Sequence, residues 1–514
     1  MAIYRGTELE KDLSLECDVC IVGSGAGGAH VAARLAAAGK RVIVLEEGGY
    51  YTSDDFNMDE AEMFHHLYQE HANRATADLS ISILQGRSVG GTTTVNWTTS
   101  FRTPKPVMDY WAGRFGVENL TYDALVPHWE RVEERLNIRE VPLDFMNRNN
   151  RVLWDGATKL GWEPHLLKRN VRDCASLGYC GMGCPLDAKQ SMLVTMIPEA
   201  VDHGADVYAN VRVQTIESEG SRISKVNGVA MHPDGNRTTS RTITVRSKVT
   251  VLSGGAINNP ALLLRSKLGN RNGRVGKRTF LHPVIASAAI FDDPIEPFYG
   301  APQSVASHYF QDRGPDKMGF FIEAAPIFPV FGGSASPGIG KDLQEIMDAL
   351  YRMNATVAIG IDGFDDKDLD EGATVTLKDG GHPKIDYKWT PRLSEMLREG
   401  NKRVVEIQLA AGAAYTQSFH TRGVKIRSTS ELSKLDSAPY EPNRVKCFTA
   451  HQMGGCIMGK DPKVSVVDSR LKHHEFDNLF IIDGSVFPTS LGVNPQLSIY
   501  GLSSWASQHV IAAV

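Results

Sequence analysis

Two periods of apolar residues run along this chain, and their alternation marks its elements. Val19–Val22 is an unbroken apolar run of the kind a strand buried on both faces shows, and Arg41–Leu45 repeats it after a stretch of strong helix formers, Ala29–Ala38. Strand, helix and strand make Cys17–Gly49 the first ordered stretch. Tyr50–Leu84 is polar, acidic and aperiodic, an excursion with some helix. Leu120–Ile138 and Arg151–Leu160 carry apolar residues at helical spacing. Val207–Met231 alternates as strands about a Ser218-Glu219-Gly220-Ser221 turn, and Arg241–Leu252 is a further strand that ends on Gly254 and Gly255, with a helix starting around Pro260.

From Asp293 to roughly Glu441 the texture changes. Pro, Phe and Gly accumulate, and the β segments Ala355–Phe364 and Gly372–Trp389, the latter bent at Asp379-Gly380-Gly381, are interrupted by helical patterns at Lys341–Met353 and Pro391–Gly412. This predicts a second domain built on an antiparallel sheet with helices over one face. The tail then returns to a buried strand at Phe480–Ile482, a turn at Asp483-Gly484 and a helix from Gln496. The expected division is therefore discontinuous: residues 16–292 with excursions at 50–84 and 105–190, a second domain over 293–440, and a return to the first over 441–514.

The first strand-helix-strand unit carries chemistry. Gly23, Gly25 and Gly28 form G-x-G-x-x-G, giving a tight turn, close approach of backbone to a pyrophosphate, and close helix-to-strand packing. Glu46 follows Gly28 by 18 residues, at the tip of the second strand, where a carboxylate can accept from a ribose 2′-OH. The unit predicts an adenine dinucleotide without deciding between NAD and FAD. In the stretch Gln85–Pro104, Gly86, Gly90 and Gly91 are followed by hydroxylated residues, which suits backbone pressed against a flat or anionic ligand.

Composition narrows the field. The 514 residues are 42% hydrophobic and 22% charged, ordinary for a globular protein of two or three domains. A net charge of −5 leaves no footprint for nucleic acid. There is no apolar run of the ~18 residues a membrane span needs and no export signal, so the expected location is cytoplasmic, with a periplasmic one through a signal-bearing partner left open. Seven cysteines thinly spread do not make a disulfide framework. Cys17 and Cys20 flank a buried strand and read as core. Cys174, Cys180 and Cys184 form Cys-x5-Cys-x3-Cys-Pro, which ends like a ferredoxin ligand run, although three thiols in a Gly-rich loop can equally well pack.

Taken together, GRSVGGTTTVN, VTVLSGGAINNPALLL, FTAHQMGGCIMG and the Asn-Pro of the tail resemble the glucose-methanol-choline (GMC) family of FAD oxidoreductases, over nearly the whole chain apart from 293–440. Within it, GYCGMGCPLDAK, AHQMGGC and GVNP are most similar to the long-chain alcohol oxidase and cholesterol oxidase-like branch. The resemblance implies an α/β fold. It has a Rossmann-like FAD-binding domain and an α+β substrate domain over a six-stranded antiparallel sheet, the two-domain architecture shared with p-hydroxybenzoate hydroxylase-like proteins. It implies FAD as cofactor, bound non-covalently because Val95 stands where some members carry a flavin-linked histidine.

The same resemblance assigns residues. Gly23, Gly25, Gly28 and Glu46 would hold pyrophosphate and ribose, and Val213 the adenine. Arg87, Gly90, Thr94 and Asn96 would lie along pyrophosphate and isoalloxazine, Asp483 and Gly484 by the ribityl and phosphate region, and Pro495 and Gln496 at the pyrimidine edge. His451 would be the base and Asn494 its partner in orienting an alcohol oxygen; an imidazole with an unperturbed pKa of ~6.5 suits the task. His282 is assigned to structure, and His473 and His474 to the surface.

The implied activity is oxidation of an alcohol to an aldehyde or ketone with hydride transfer to flavin N5, electrons passing to oxygen, a quinone or a cytochrome. Two other members' activities stay open: the flavin subunit of a multi-subunit, membrane-linked sugar or alcohol dehydrogenase with an iron–sulfur cluster on Cys174, Cys180 and Cys184, and hydroxynitrile lyase chemistry with a non-redox FAD. The expected site holds no metal.

Overall fold

The computed structural model describes residues 3–368 and 370–514. One sheet of eight strands runs parallel through Ile3–Arg5, Asp206–Ala209, Val42–Leu45, Leu13–Val22 and Thr238–Leu252. Arg222–Met231 and Val211–Glu219 extend it antiparallel, and Leu479–Ile481 lies parallel beside the end of Thr238–Leu252. The first strand of this sheet along the chain is thus Ile3–Arg5, ahead of the expected Cys17. Leu13–Val22 starts earlier than its apolar run because its first residues pair with Thr238–Leu252 in register Ile243↔Leu13. Backbone pairing extends a strand whether or not its side chains are apolar.

Helices Gly28–Ala37, Tyr122–Arg135, Met196–Asp202 and Gln496–Ala513 pack against one another beside this sheet and bury its main core, with Cys17 and Cys20 inside as expected. The helix expected around Pro260 begins at Gly255 and runs to Ser266. Its start is fixed by side chains the local sequence does not reveal: Asn259 Oδ1 accepts from Gly254 N (2.8 Å) and Asp483 Oδ2 from Gly255 N (2.7 Å). Those two bonds satisfy N–H groups that a helix leaves free at its beginning.

A second, nine-stranded sheet is ordered Lys425–Ile426, Tyr415–Ser418, Val284–Ile290, Met353–Gly360, Phe320–Ala324, Val305–Ser307 and His165–Leu166, with Cys447–Thr449 attached to Val284–Ile290 and Ile81–Ile83 to Cys447–Thr449. It is larger than the six strands the resemblance implied, since short strands from distant segments join its edges. Alternation along each strand separates two faces. Phe320 and Ile322 turn toward helices Arg148–Leu160 and Pro391–Ala410, whereas Phe321 packs with Val357 and Ile359 on the opposite side.

Two expectations fail at the surface. His473 is only 2% exposed, with Nε2 3.2 Å from Gly269 O and its ring tilted against Phe476, and His474 is half-buried with Nε2 2.9 Å from Ser465 Oγ. Their charged neighbours Lys472 and Glu475 made the stretch read as solvated. Among the described residues no helix is long and apolar enough to cross a membrane.

Gly28 is the tightest point between the first helix and the sheet: a Cβ there would stand 1.9 Å from Gly23 O and 3.1 Å from Ser253 Cβ. Gly28→Ala is expected to cost about 1–3 kcal/mol by forced overpacking, read as a lowered thermal midpoint in a melt followed by circular dichroism. An unchanged midpoint would mean that the helix shifts freely.

Candidate functional site

The parallel strands end together, and a cavity of about 1130 Å³ opens between their carboxyl ends and the apolar face of the second sheet. Ligands of open α/β sheets lie in this place. Two glycine turns meet across it: a Cβ on Gly91, whose φ is 56°, would come 2.7 Å from the Gly25 Cα. Gly25 itself faces open space, with Gly91 Cα 3.8 Å from where its Cβ would be. Bare backbone is therefore presented to the cavity, as a pyrophosphate requires.

Glu46 anchors this end. Oε2 accepts from Ser24 N (2.9 Å) and Ser24 Oγ (2.7 Å), Oε1 accepts from Gly48 N (2.8 Å), and Ser24 Oγ in turn accepts from Gly90 N (3.0 Å). Burial pushes the carboxyl up, and the bonds from Gly48 and Ser24 oppose it. Burial acts the same way on neighbouring Glu47, yet the Arg212 guanidinium at 2.9 Å, with Arg87, holds that carboxyl below its usual range. Val213 also lines the cavity; its carbonyl accepts from Arg265 Nη2 (3.3 Å).

The other end holds His451, Asn494 and Glu323. Backbone placement comes from Asp362, whose carboxylate accepts from Leu281 N (3.0 Å) and His282 N (3.2 Å) and so holds His282 at φ 46°, a left-handed conformation rare for a side chain of this size. His282 Nε2 accepts from Gly492 N (3.1 Å), and its Nδ1 lies 3.2 Å from His451 Nδ1. Asn494 Nδ2 lies 3.4 Å from His451 Nε2 and donates to Glu323 Oε2 at 3.3 Å, which Gln303 Nε2 also reaches at 2.7 Å. Glu323 Oε1 and Asn494 Oδ1 are buried without a partner among the described residues. Burial pushes the Glu323 carboxyl up to about 7 and the His451 imidazole down to about 4.

Of the residues expected at the site, Gly23, Gly25, Glu46, Arg87, Asn96, Val213, His451, Asp483, Gly484, Asn494, Pro495 and Gln496 line the cavity, and Val95 does too. Gly28, Gly90 and Thr94 stand behind its wall. Thr94 Oγ1 donates to Val89 O (3.0 Å), and Gly90 acts through its bond to Ser24. Gln496 is already saturated: Nε2 donates to Thr99 O (2.8 Å) and Oε1 accepts from Asn96 Nδ2 (2.7 Å) and Tyr500 OH (3.0 Å). Asp483 spends its carboxylate on Gly255, Asn259 and Ser485.

Sequence reasoning missed Glu323 and the contact of His282 with His451. The visible signal for Glu323 is a lone carboxylate in the otherwise apolar strand Phe320–Ala324. Cys174, Cys180 and Cys184 are free and half-buried, and among the described residues no three His, Cys, Asp or Glu side chains gather as a metal ion requires.

A GMC oxidoreductase family model matches residues 64–284, a second one of the same description matches 371–503, and an FAD binding domain model matches 18–56, so the dinucleotide is FAD. The chain is 31% identical to an uncharacterised GMC-type oxidoreductase of Mycobacterium tuberculosis over 97% of its own length and 76% of that protein's. It is 29% identical to a long-chain-alcohol oxidase of Arabidopsis thaliana over 97% of its length and 67% of that protein's. The solved pyridoxine 4-oxidase of Mesorbium loti shares the fold at TM-score 0.70 and 18% identity, over 96% of this chain and 99% of that one. Motifs, fold and a full-length relative converge, and the chain belongs to the GMC oxidoreductase family.

Proposed function

We propose that the protein oxidises an alcohol to an aldehyde or ketone with FAD as the acceptor. The observation that carries this reading is the meeting of two kinds of group in one cavity: bare glycine backbone at one end, and at the other a buried carboxylate with one free oxygen beside an imidazole and an amide. That the relatives include alcohol oxidases supports it. Bound FAD supplies a hydride acceptor. Gly23, Gly25 and Gly91 would take its pyrophosphate, Glu46 and Val213 its adenosine half, and Asn96, Gly484 and the Pro495-Gln496 backbone its ring end.

Proton positions follow from the hydrogen bonds. Gly492 N–H donates to His282 Nε2, so neutral His282 carries its proton on Nδ1 and donates it to His451 Nδ1. Neutral His451 must then carry its own proton on Nε2. At 3.4 Å from Asn494 Nδ2, this N–H and the amide N–H stand side by side as two donors, arranged to hold one substrate oxygen. Of the two unpartnered acceptors, the amide oxygen Asn494 Oδ1 is not basic, so Glu323 Oε1 is the one that can take the hydroxyl proton as the C–H bond breaks. Glu323 in the role of base departs from the family pattern, which gives that role to His451. The apolar side chains Val284, Val357, Ile359 and Phe448 line the same end and exclude water from it.

The first experiment is anaerobic absorbance of the purified flavoprotein against a panel of primary, secondary and aromatic alcohols. Bleaching by one class is expected and names the substrate class, and readmitted air separates oxidase from dehydrogenase. Substrate loss without bleaching would replace oxidation with lyase chemistry.

For the base, kcat/KM is expected to rise with pH through about 7, as Glu323 ionises, while His451, held near 4, stays neutral over the same range and contributes no limb. Glu323→Gln should lose about 10²–10⁴-fold in rate together with that limb. It should also stabilise the protein at pH 8 but not at pH 4, because a buried carboxyl with a raised pKa weakens the fold as pH climbs from its unfolded value through its folded one. A limb that survives Glu323→Gln and vanishes in His451→Gln would return the base to His451.

Since Val95 offers no nucleophile, acid denaturation is expected to release all of the flavin to the supernatant, measured by its fluorescence after filtration. Yellow colour retained on the precipitated chain would show a covalent link.

A further inference from the structure

Behind the wall formed by residues 95–99, two cations are buried side by side with no carboxylate bridging either among the described residues. Lys189 is 3% exposed, and its ammonium donates to Thr94 O, to Cys180 O (2.6 Å) and to Asn96 O (3.2 Å). Three carbonyl oxygens consume the three protons of a charged ammonium; a neutral amine would turn its lone pair on one of them. The contacts therefore specify the charged form, even though burial pulls the Lys189 pKa down to about 8. Arg169 is likewise 3% exposed, with Nε donating to Thr98 Oγ1 (2.6 Å) and Nη2 3.5 Å from Cys180 Sγ. A guanidinium does not deprotonate in proteins.

Buried charges are ordinarily paired, and two like charges together compound the cost of leaving water. Burial pushes the Cys180 thiol up against the opposing pull of Arg169 and Lys189, which favours the neutral form of the sulfur 3.5 Å from Arg169 Nη2. The loop that both cations grip, through Thr94, Asn96 and Thr98, runs along the cavity end that also holds His451, Asn494 and Glu323. We propose that Lys189 and Arg169 are electrostatic positioning residues whose countercharge arrives with the electrons of the reaction, so that they raise the reduction potential of the flavin bound against residues 94–99.

This rests on the placement of the flavin's redox end beside the reacting side chains. The charge balance is direct. The carbinol carbon gives up a hydride with both electrons, the hydroxyl proton neutralises the Glu323 carboxylate, and the C=O bond forms, so the total charge of the cavity is unchanged while one negative charge moves from Glu323 to the flavin end. Neither cation touches substrate. Their field acts through a single layer of backbone in a medium of low dielectric, where a charge a few ångströms away has a large effect.

The test is the flavin midpoint potential, measured on the FAD-loaded protein by anaerobic dye-equilibrated reduction with no alcohol present. Lys189→Met and Arg169→Gln are each expected to disfavour reduction by about tenfold, ~30 mV lower for a two-electron couple, while Arg169→Lys stays near the wild-type value. A merely structural role would lower thermal stability and leave the potential of loaded protein unmoved, and that result in Lys189→Met and Arg169→Gln would overturn the proposal. If Lys189→Met does not retain flavin, Arg169→Gln, which leaves the three carbonyl bonds in place, decides the matter. A thiolate absorbance at neutral pH that disappears in Cys180→Ala would also overturn it, by showing that Cys180 carries the countercharge. Because the dye needs no alcohol, failure of every alcohol to bleach the flavin would count against the proposed function alone.

Discussion

Everything in this molecule depends on one close approach of backbone to backbone. The turn after Leu13–Val22 and the turn at Gly90-Gly91 touch where Gly91 has no room for a side chain against Gly25, and Ser24 ties them by accepting from Gly90 and donating to Glu46. That contact seats the 86–99 loop together with the bonds Arg87 N to Leu67 O (2.7 Å) and Val89 N to Gly49 O (2.9 Å). The loop in turn carries the cavity wall, the Asn96 amide that holds Gln496, and the carbonyls that hold Lys189. A constraint of the first fifty residues is thus felt at the far end of the cavity, through hydrogen bonds that each span long stretches of sequence.

The cavity is also where the fold carries its least favourable electrostatics. Among the described residues Glu323 sits without a cation beside it and with one oxygen unpaired, and Lys189 and Arg169 sit without a carboxylate. Each arrangement weakens the folded state in isolation, and each is the kind of cost that functional sites concentrate. The two signs are kept apart: Glu323 faces the cavity from the second sheet, and the cations stand behind the loop of the first domain. A substrate hydroxyl would enter next to the negative group, while the electrons it gives up go toward the positive ones.

How far this was legible in the sequence follows from where each constraint resides. Gly23, Gly25, Gly91 and Glu46 were readable because a backbone turn against a ligand restricts neighbouring residues to a few types, leaving a contiguous mark. The two-layer plan was readable for a similar reason, since the carboxyl ends of the central parallel strands are unbroken apolar runs and the second sheet's segments differ from them in texture. What was not readable depends on partners far apart in the chain. Glu323 becomes notable only once Asn494 and Gln303 are found against it. His282, read as structural, is found bonded to both Gly492 and His451, positions 210 and 169 residues away. The helix at Gly255 starts where it does because Asp483, 228 positions away, accepts its first N–H. Lys189 leaves no local trace, for a lysine after Asp-Ala reads as a surface residue until its three carbonyl partners are seen. His473 misled in the opposite sense, its charged neighbours masking a buried ring.

Register in the second sheet finally decides whether there is chemistry at all. Phe320–Ala324 pairs with Met353–Gly360 so that Glu323 stands opposite Val357, and with Val305–Ser307 so that it stands opposite Ala306. Side chains alternate faces along a strand, so a slip of one residue would turn Glu323 into the helical layer and present Ile322 or Ala324 to the cavity instead. His451 reaches the same point by a different route, on the segment after Cys447–Thr449, with His451 N donating to Thr449 Oγ1 (3.1 Å), and Asn494 arrives from the tail. Three groups on three separate segments meet within hydrogen-bond reach of one amide only because the Val284–Ile290 strand pairs with both Met353–Gly360 and Cys447–Thr449, fixing the sheet and the His451 segment to one another. Ile285 and Ala286 look like filler in the sequence. They are part of the strand that sets the distance between the carboxylate and the imidazole, and with it the geometry on which the proposed transfer of a hydroxyl proton rests.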